Sequence, residues 1–229
     1  MISSVTAAIE TNDLTRRYGY RVALRKVSMA FPETGIHGLF GSNGAGKTTL
    51  MRVVATLLRP HGGTISVMGF DPQEEPEEVK KRLGIVGDKA LLYDELTGIE
   101  NLRFYSKLYG LEQEFFESQV EDLAQRFAVV NWLEEPVKNL STGLKKRMDI
   151  VRSLIHDPEL LLLDEPFSGL DKDTTEVFWN YLFDYRDLRT TVVTTHNLTF
   201  GAKLCDDFVT LRKGVVVAQG PIAEFDQTL

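Results

Sequence analysis

The sequence predicts an α/β fold in which a mostly parallel sheet is covered by helices, preceded by an N-terminal antiparallel β unit and interrupted by an inserted helical segment. Three observations carry this expectation. From Gly35 onward, short apolar runs bounded by turns alternate with helix-spaced patterns, the rhythm of strand–helix–strand units. Leu160 to Leu163 is an unbroken apolar run, as expected of a central parallel strand buried on both faces. Between Thr97 and about His156 the pattern is helical throughout.

Taken in order, Ile9–Leu14 and Val22–Phe31 read as short strands paired antiparallel. Gly35–Phe40 is an apolar strand running into a glycine-rich turn, after which Leu50, Val53, Val54 and Leu57 give helical spacing over Lys47–Leu58, before Pro60. Gly62 and Gly63 turn the chain into a strand at Thr64–Met68. Glu74–Arg82 places acids first and bases last, which complements a helix dipole, and a short strand follows at Gly84–Val86. Thr97 and Glu100 have capping-box spacing, Gly110 offers a helix stop, and Glu112–Ala128 reads as a second amphipathic helix. After the apolar run come a helix over Thr174–Leu188, a β-branched strand over Thr190–Thr195, and a hairpin turning at Lys213 and Gly214. That hairpin lies near the end of the sequence, so no appended regulatory domain is expected. There is no internal repeat and no low-complexity segment.

The 229 residues suit one large domain or a core with a lobe, at about 150 residues per average domain. With 43% hydrophobic and 26% charged residues, the chain has the composition of an ordinary folded protein and not of a disordered one. Twenty-six basic against 33 acidic residues leave a net charge of −7, the wrong sign for a protein that neutralises phosphates along a duplex, so no nucleic-acid partner is expected. The basic run Lys145, Lys146 and Arg147 reads as a solvated helix face, with a local anion site as the alternative. No stretch free of Asp, Glu, Lys and Arg is longer than Thr34 to Gly46, which is broken by glycines and falls short of the roughly 18 residues of a spanning helix. Met1–Asp13 lacks the basic and apolar blocks of a secretory signal, and the single Cys205 cannot form an internal disulfide. A reducing, cytoplasmic setting is expected.

Gly41-Ser42-Asn43-Gly44-Ala45-Gly46-Lys47-Thr48 matches the phosphate-binding pattern G-x-x-x-x-G-K-[ST], here between a strand and a helix. Glycines let backbone N–H groups curl around phosphate oxygens, the helix start adds its positive dipole end, and Lys47 supplies a full charge. Thr48 is placed to put its hydroxyl on Mg²⁺. Asp164 and Glu165 close the apolar strand, where a carboxylate beside the phosphate loop can serve Mg²⁺ directly or through water and its neighbour can reach an attacking water.

With these residues the chain resembles the ATP-binding cassette (ABC) subunit of a transporter over essentially its whole length. Leu140-Ser141-Thr142-Gly143-Leu144 is similar to that family's signature L-S-G-G-Q, with Ser141 lying 23 residues before Asp164. Ser168-Gly169-Leu170-Asp171 resembles its D-loop, His196, 31 residues past Glu165, its switch histidine, and Tyr18 its adenine-stacking aromatic. Each feature alone has a plainer reading: Ser141 as a helix N-cap, Tyr18 as a packing tyrosine, His196 as a turn residue. Their shared order and separation select the family.

The resemblance implies a P-loop NTPase (RecA-like) core. Residues 1–229 would form a single ABC ATPase domain, with 1–90 and 157–229 as the nucleotide-binding core and antiparallel β-subdomain and 91–156 as a helical signature subdomain. It implies ATP and Mg²⁺ as ligands. Tyr18, Gly41, Ser42, Asn43, Gly44, Ala45, Gly46, Lys47, Thr48 and Thr49 would bind the nucleotide, with Ser141 and Gly143 reaching it from a second copy. Thr48 and Asp164 would hold the metal, Lys47 would grip the β- and γ-phosphates, Glu165 would activate the water, and His196 would steady the γ-phosphate. Asp171 would line the facing subunit's site. The implied partners are a second ABC ATPase subunit, as a homodimer, and a separate membrane-spanning permease, which would hold the chain peripherally at the cytoplasmic face of the membrane.

Two departures mark this sequence within the pattern. Thr142 stands where a second glycine is usual and Leu144 where glutamine is usual, adding bulk at the interface. Aligning Gly84-Ile85-Val86-Gly87 puts Asp88 where a glutamine usually touches Mg²⁺ and the transporter, so Asp88 is a candidate metal residue. The stretch Leu92 to Leu102 and the Leu-Ser-Thr-Gly-Leu signature resemble bacterial exporter cassettes of drug or haem type. The competing readings are a soluble ABC ATPase of iron–sulfur assembly and a nucleotide-binding module that scarcely hydrolyses.

Overall fold

A computed structural model describes residues 7–87 and 89–225. The first half runs β1 (Ala7–Tyr18), β2 (Arg21–Pro32), β3 (Gly35–Phe40), α1 (Lys47–Val54), β4 (Gly62–Val67), α2 (Pro76–Lys81) and β5 (Leu83–Val86). Three longer helices follow, α3 (Gly98–Tyr109), α4 (Gln113–Arg126) and α5 (Thr142–Leu154). The chain continues with β6 (Leu160–Asp164), α6 (Lys172–Asp184), β7 (Thr190–Thr194), α7 (Leu198–Leu204), β8 (Asp207–Arg212) and β9 (Val215–Pro221).

The fold is α/β, as the sequence predicts. Six strands form the main sheet in the order β5-β6-β7-β3-β8-β9. The first five are parallel and β9 is antiparallel, turned back through Lys213 and Gly214. Period-two alternation sends Leu160 and Leu162 of β6 into one apolar cluster and Leu161 and Leu163 into another, so the two clusters lie on opposite faces of the sheet. Each such leucine, fully buried, contributes about 1.5–3 kcal/mol. One cluster joins α1 and the antiparallel unit, and the other joins α3 to α7.

The antiparallel unit has the order β2-β1-β4. β1 runs four residues beyond the expected Leu14, to Tyr18, which pairs with Arg21 across a two-residue turn. The extension was hidden because polar residues dominate Thr15–Tyr18, of which Thr15 and Arg16 are half-buried and Arg17 and Tyr18 exposed. The expected strand after Gly62–Gly63 pairs with β1, not with the main sheet.

The stretch expected to be helical throughout is interrupted. From Phe127 to Leu140 the only helical turns are two short 3₁₀ segments, Val130–Trp132 and Val137–Asn139. Ala128 takes φ +54°, Pro136 cannot donate to a helix, and the backbone instead caps α3: Gly98 N donates to Glu135 O (3.2 Å) and Ile99 N to Leu133 O (2.7 Å). The Thr97–Glu100 capping box is present in full, and Gly110 ends α3 at φ +68°. The short helix α7, which the sequence did not suggest, is capped by Asn197.

α5 is bound to the end of β5 by buried polar groups. Arg152 donates to Asp149 (2.7 Å) and to the Ile85 carbonyl and lies 4.9 Å over the Tyr105 ring of α3. Asp149 accepts the Leu91 amide (3.0 Å), and Lys146 donates to Gly87 O (2.8 Å). A second tie is His156, whose ring stacks on Tyr109 at 3.7 Å while Nε2 meets Leu83 O at 3.1 Å. Its Nδ1 has no partner among the described residues.

Burial is the main reason the His156 pKa falls to about 4, reinforced by the charges of Arg152 and Arg189 and opposed by the Leu83 carbonyl. A folded value below the ordinary 6.5 stabilises the fold fully above pH 6.5 and loses that stabilisation as pH falls toward 4. The contribution is about 3 kcal/mol. His156→Gln keeps a donor toward Leu83 but does not titrate. Urea unfolding between pH 7 and 4 is therefore expected to weaken less steeply in this variant, and equal slopes in the two proteins would refute the assignment.

Candidate active site

The glycine-rich turn leaves the end of β3 and enters α1 with Gly46 as its N-cap. Glycine is required twice by geometry. Gly41 has φ +141° and an added Cβ would meet Leu211 O at 2.2 Å; Gly46 has φ +117° with Ala23 O at 2.9 Å. The β8–β9 turn backs the loop, Gly214 N donating to Ala45 O (2.8 Å) and Arg25 N to Gly214 O (2.7 Å). Lys47 is buried, its Nζ folded back on Gly41 O (2.7 Å) and Ser42 O (3.3 Å).

Strand register brings the acids to this loop. Asp164 at the end of β6 lies level with Thr194 of β7, which lies level with Leu39 of β3. Thr48 Oγ1 donates to Asp164 Oδ2 at 2.8 Å, and Thr194 Oγ1 to Asp164 Oδ1 at 2.5 Å. Glu165 Oε2 lies 2.9 Å from His196 Nδ1, whose ring is exposed.

A cavity of about 600 Å³ lies against these groups, lined by Tyr18, Asn43, Gly44, Gly46, Lys47, Thr48, Thr49, Asp164 and Glu165 among others. Tyr18 is 44% exposed, and the Arg16 guanidinium covers it at 5.3 Å. Gly41, Ser42 and His196 border a neighbouring hollow instead, which Asn43 shares, and Ala45 is buried beneath the loop. Asp88 lies outside the described residues.

Ser141 and Gly143 do not line the cavity. Ser141 caps α5 through Leu144 N (3.3 Å), and a Cβ on Gly143 would find its own chain's Gly169 O at 3.7 Å. Asp171 caps α6 and pairs with Arg147. The Thr174 amide and then Arg147 push its carboxyl down to about 2, so it is ionised at any neutral pH. Sequence reasoning missed Arg21, Arg25 and Lys213, which line the cavity. The Lys213–Gly214 turn was readable, but its position over the loop was not.

The family's sequence model, described as ABC transporter, matches residues 24–168. The chain belongs to the ABC transporter family. The cassette is 36% identical over 220 residues to the ABC transporter ATP-binding protein NatA of Bacillus subtilis (strain 168), covering 93% of this chain and 89% of that one. It is 35% identical over 230 residues to the daunorubicin/doxorubicin resistance ATP-binding protein DrrA of Streptomyces peucetius, covering 100% and 70%. A solved ATP-binding subunit of an ABC transporter superposes with a TM-score of 0.89 at 29% identity, over 94% of this chain and 90% of that one. A dimeric ATP-binding cassette bound to ADP and Pi shares the fold, with a TM-score of 0.85 at 21% identity over 95% and 100%. The cassette is thus an ATP-binding subunit of the transporter type and an ATPase. Among the described residues, no helix is long and apolar enough to cross a membrane.

Proposed function

We propose that the cassette works as a head-to-tail homodimer that hydrolyses MgATP and drives a separate permease for export. The observation that carries this is the division of the site: phosphate loop, Asp164, Glu165 and Tyr18 share one cavity, while the signature tip rests beside its own D-loop. A loop on one side of a triphosphate leaves the γ-phosphate open, so Ser141 and the Gly143 amide reach it from a second copy, with Asp171 lining the facing site. In this reading residues 91–156 act as the signature subdomain within a core of 1–90 and 157–229. The drug-resistance names of relatives such as DrrA favour export. The cassette then sits peripherally at the cytoplasmic face, held by its permease.

Tyr18 stacks the adenine, with Arg16 behind the ring. No N-K-x-D guanine-reading sequence is present, so base discrimination is weak. On binding, Lys47 exchanges two neutral carbonyls for β- and γ-phosphate oxygens, a change to charge-assisted bonds, and the loop amides of Gly41–Thr48 and Thr49 complete the cradle. Thr48 and Asp164 fit Mg²⁺, since an alcohol and a carboxylate oxygen meet at 2.8 Å as an all-oxygen pair. Held by Thr48 and Asp164, Mg²⁺ would supply neutralisation of the phosphate charge. Glu165 orients the attacking water and takes its proton, and His196, already bonded to Glu165, steadies water and γ-phosphate.

Lys47→Ala is expected to raise the Kd for a fluorescent ATP analogue at least about 100-fold. Near-unchanged affinity would remove Lys47 from the phosphate site. Glu165→Gln is expected to bind ATP normally, slow phosphate release by at least about 100-fold, and elute as a dimer in Mg²⁺ and ATP. Wild-type phosphate release by this variant, or its elution as a monomer, would sink the proposal. Copurification from detergent-solubilised membranes with a multi-span protein is the outcome expected of the whole; stable recovery with soluble scaffold proteins alone points to the iron–sulfur class instead.

A further inference from the structure

We infer that Thr194 is a positioning residue for hydrolysis, one hydroxyl aiming the metal-side carboxylate of Asp164 and fixing the turn that presents Glu165. The inference rests on the hydrolytic reading above and deepens it.

Thr194 is the last residue of β7 and is fully buried. A hydroxyl has one proton to give and lone pairs to receive, and both functions are in use. The proton goes to Asp164 Oδ1 at 2.5 Å, and Oγ1 accepts the Glu165 amide at 3.1 Å. The same amide also points at the Thr194 carbonyl, 3.3 Å away. Donation to a carboxylate orients the hydroxyl, leaving its lone pairs toward the amide.

Two consequences follow for the site. With Oδ1 held from the sheet side, Asp164 keeps Oδ2 for Thr48, 2.8 Å away, so the carboxylate is divided between strand and phosphate loop. Glu165 takes φ +50°, a left-handed conformation rare for a residue with a long side chain, and such a conformation persists only where its surroundings over-determine it. The doubly held amide supplies that restraint. From this turn the Glu165 side chain lines the cavity and reaches His196 at 2.9 Å.

Thr191 on the same strand provides the contrast. It is equally buried, yet its Oγ1 has no hydrogen-bond partner among the described residues. It is there as a β-branched strand residue, and its hydroxyl is dispensable.

The experiment measures ATP turnover, Mg²⁺ dependence and Mg²⁺-free ATP affinity for wild type, Thr194→Val, Thr194→Ser and Thr191→Val, with melting curves for each. Thr194→Val keeps the shape and removes the hydroxyl. It is expected to lower kcat by about 10- to 100-fold and to need more Mg²⁺ for half-maximal rate, with Mg²⁺-free ATP affinity unchanged. Thr194→Ser restores the hydroxyl and is expected to keep most of the wild-type kcat, and Thr191→Val all of it. Wild-type turnover by Thr194→Val, or a Thr194→Ser variant as slow as the valine, overturns the inference. If Thr194→Val does not melt cooperatively, Thr194→Ser decides alone: retained turnover supports the inference and lost turnover overturns it. Failure of the hydrolytic reading looks different, because Glu165→Gln would then turn over like wild type.

Discussion

The hydrogen bond from Thr48 to Asp164 joins residues 116 apart in the chain, and the rest of the site depends on the strand register that permits it. β3 and β6 are not neighbours; β7 lies between them, and Leu39, Thr194 and Asp164 stand level across the three. Leucine at all four positions from 160 to 163 fills both apolar clusters. A one-residue slip of β6 would exchange the faces and cost little in apolar burial. The polar end of the strand is what forbids the slip, because it would carry Asp164 away from both Thr48 and Thr194 and leave a carboxylate poorly satisfied.

The loop itself is held from behind, which frees its front for a ligand. Gly214 N donates to Ala45 O and Arg25 N to Gly214 O, so the two hairpins brace the loop through main-chain bonds. Lys47 rests on two loop carbonyls, which places its charge inside the loop. This is preorganisation: the ordering cost is met in folding and does not burden binding.

The chemistry-bearing segments were legible because each is local. The phosphate loop, the strand-end acids and the α3 capping box are short patterns whose physical demands fall on consecutive residues. What was hidden depends on long-range placement. Thr194 sits in a run of β-branched residues, and nothing along the chain separates its hydroxyl from that of Thr191; only the neighbouring strand does. Arg21, Arg25 and Lys213 come from two hairpins whose approach to the loop is set by tertiary packing. The break between α4 and α5 escaped because Val129, Val137 and Leu140, all buried, keep helix-like apolar spacing while the backbone turns back to cap α3. The twelve-residue reach of β1 escaped because its outer third, Thr15–Tyr18, is polar and at most half-buried.

The signature tip shows how the sequence departures can be accommodated. Thr142 is exposed at the first turn of α5 and Leu144 is half-buried, its amide taken by the Ser141 hydroxyl, so neither alters the capped helix start that the proposed dimer requires. Arg147, one turn further on, pairs with Asp171, and Asp171 stays charged because its carboxyl is held near 2. The signature helix and the start of α6 are thereby tied to each other from opposite ends of the segment 147–171, while Lys146, Asp149 and Arg152 tie the same helix to residues 85–91. Helix α5 cannot shift without pulling on both attachments. In the dimer we propose, α5 would act as a rigid element between the start of α6 and its contacts Ile85, Gly87 and Leu91.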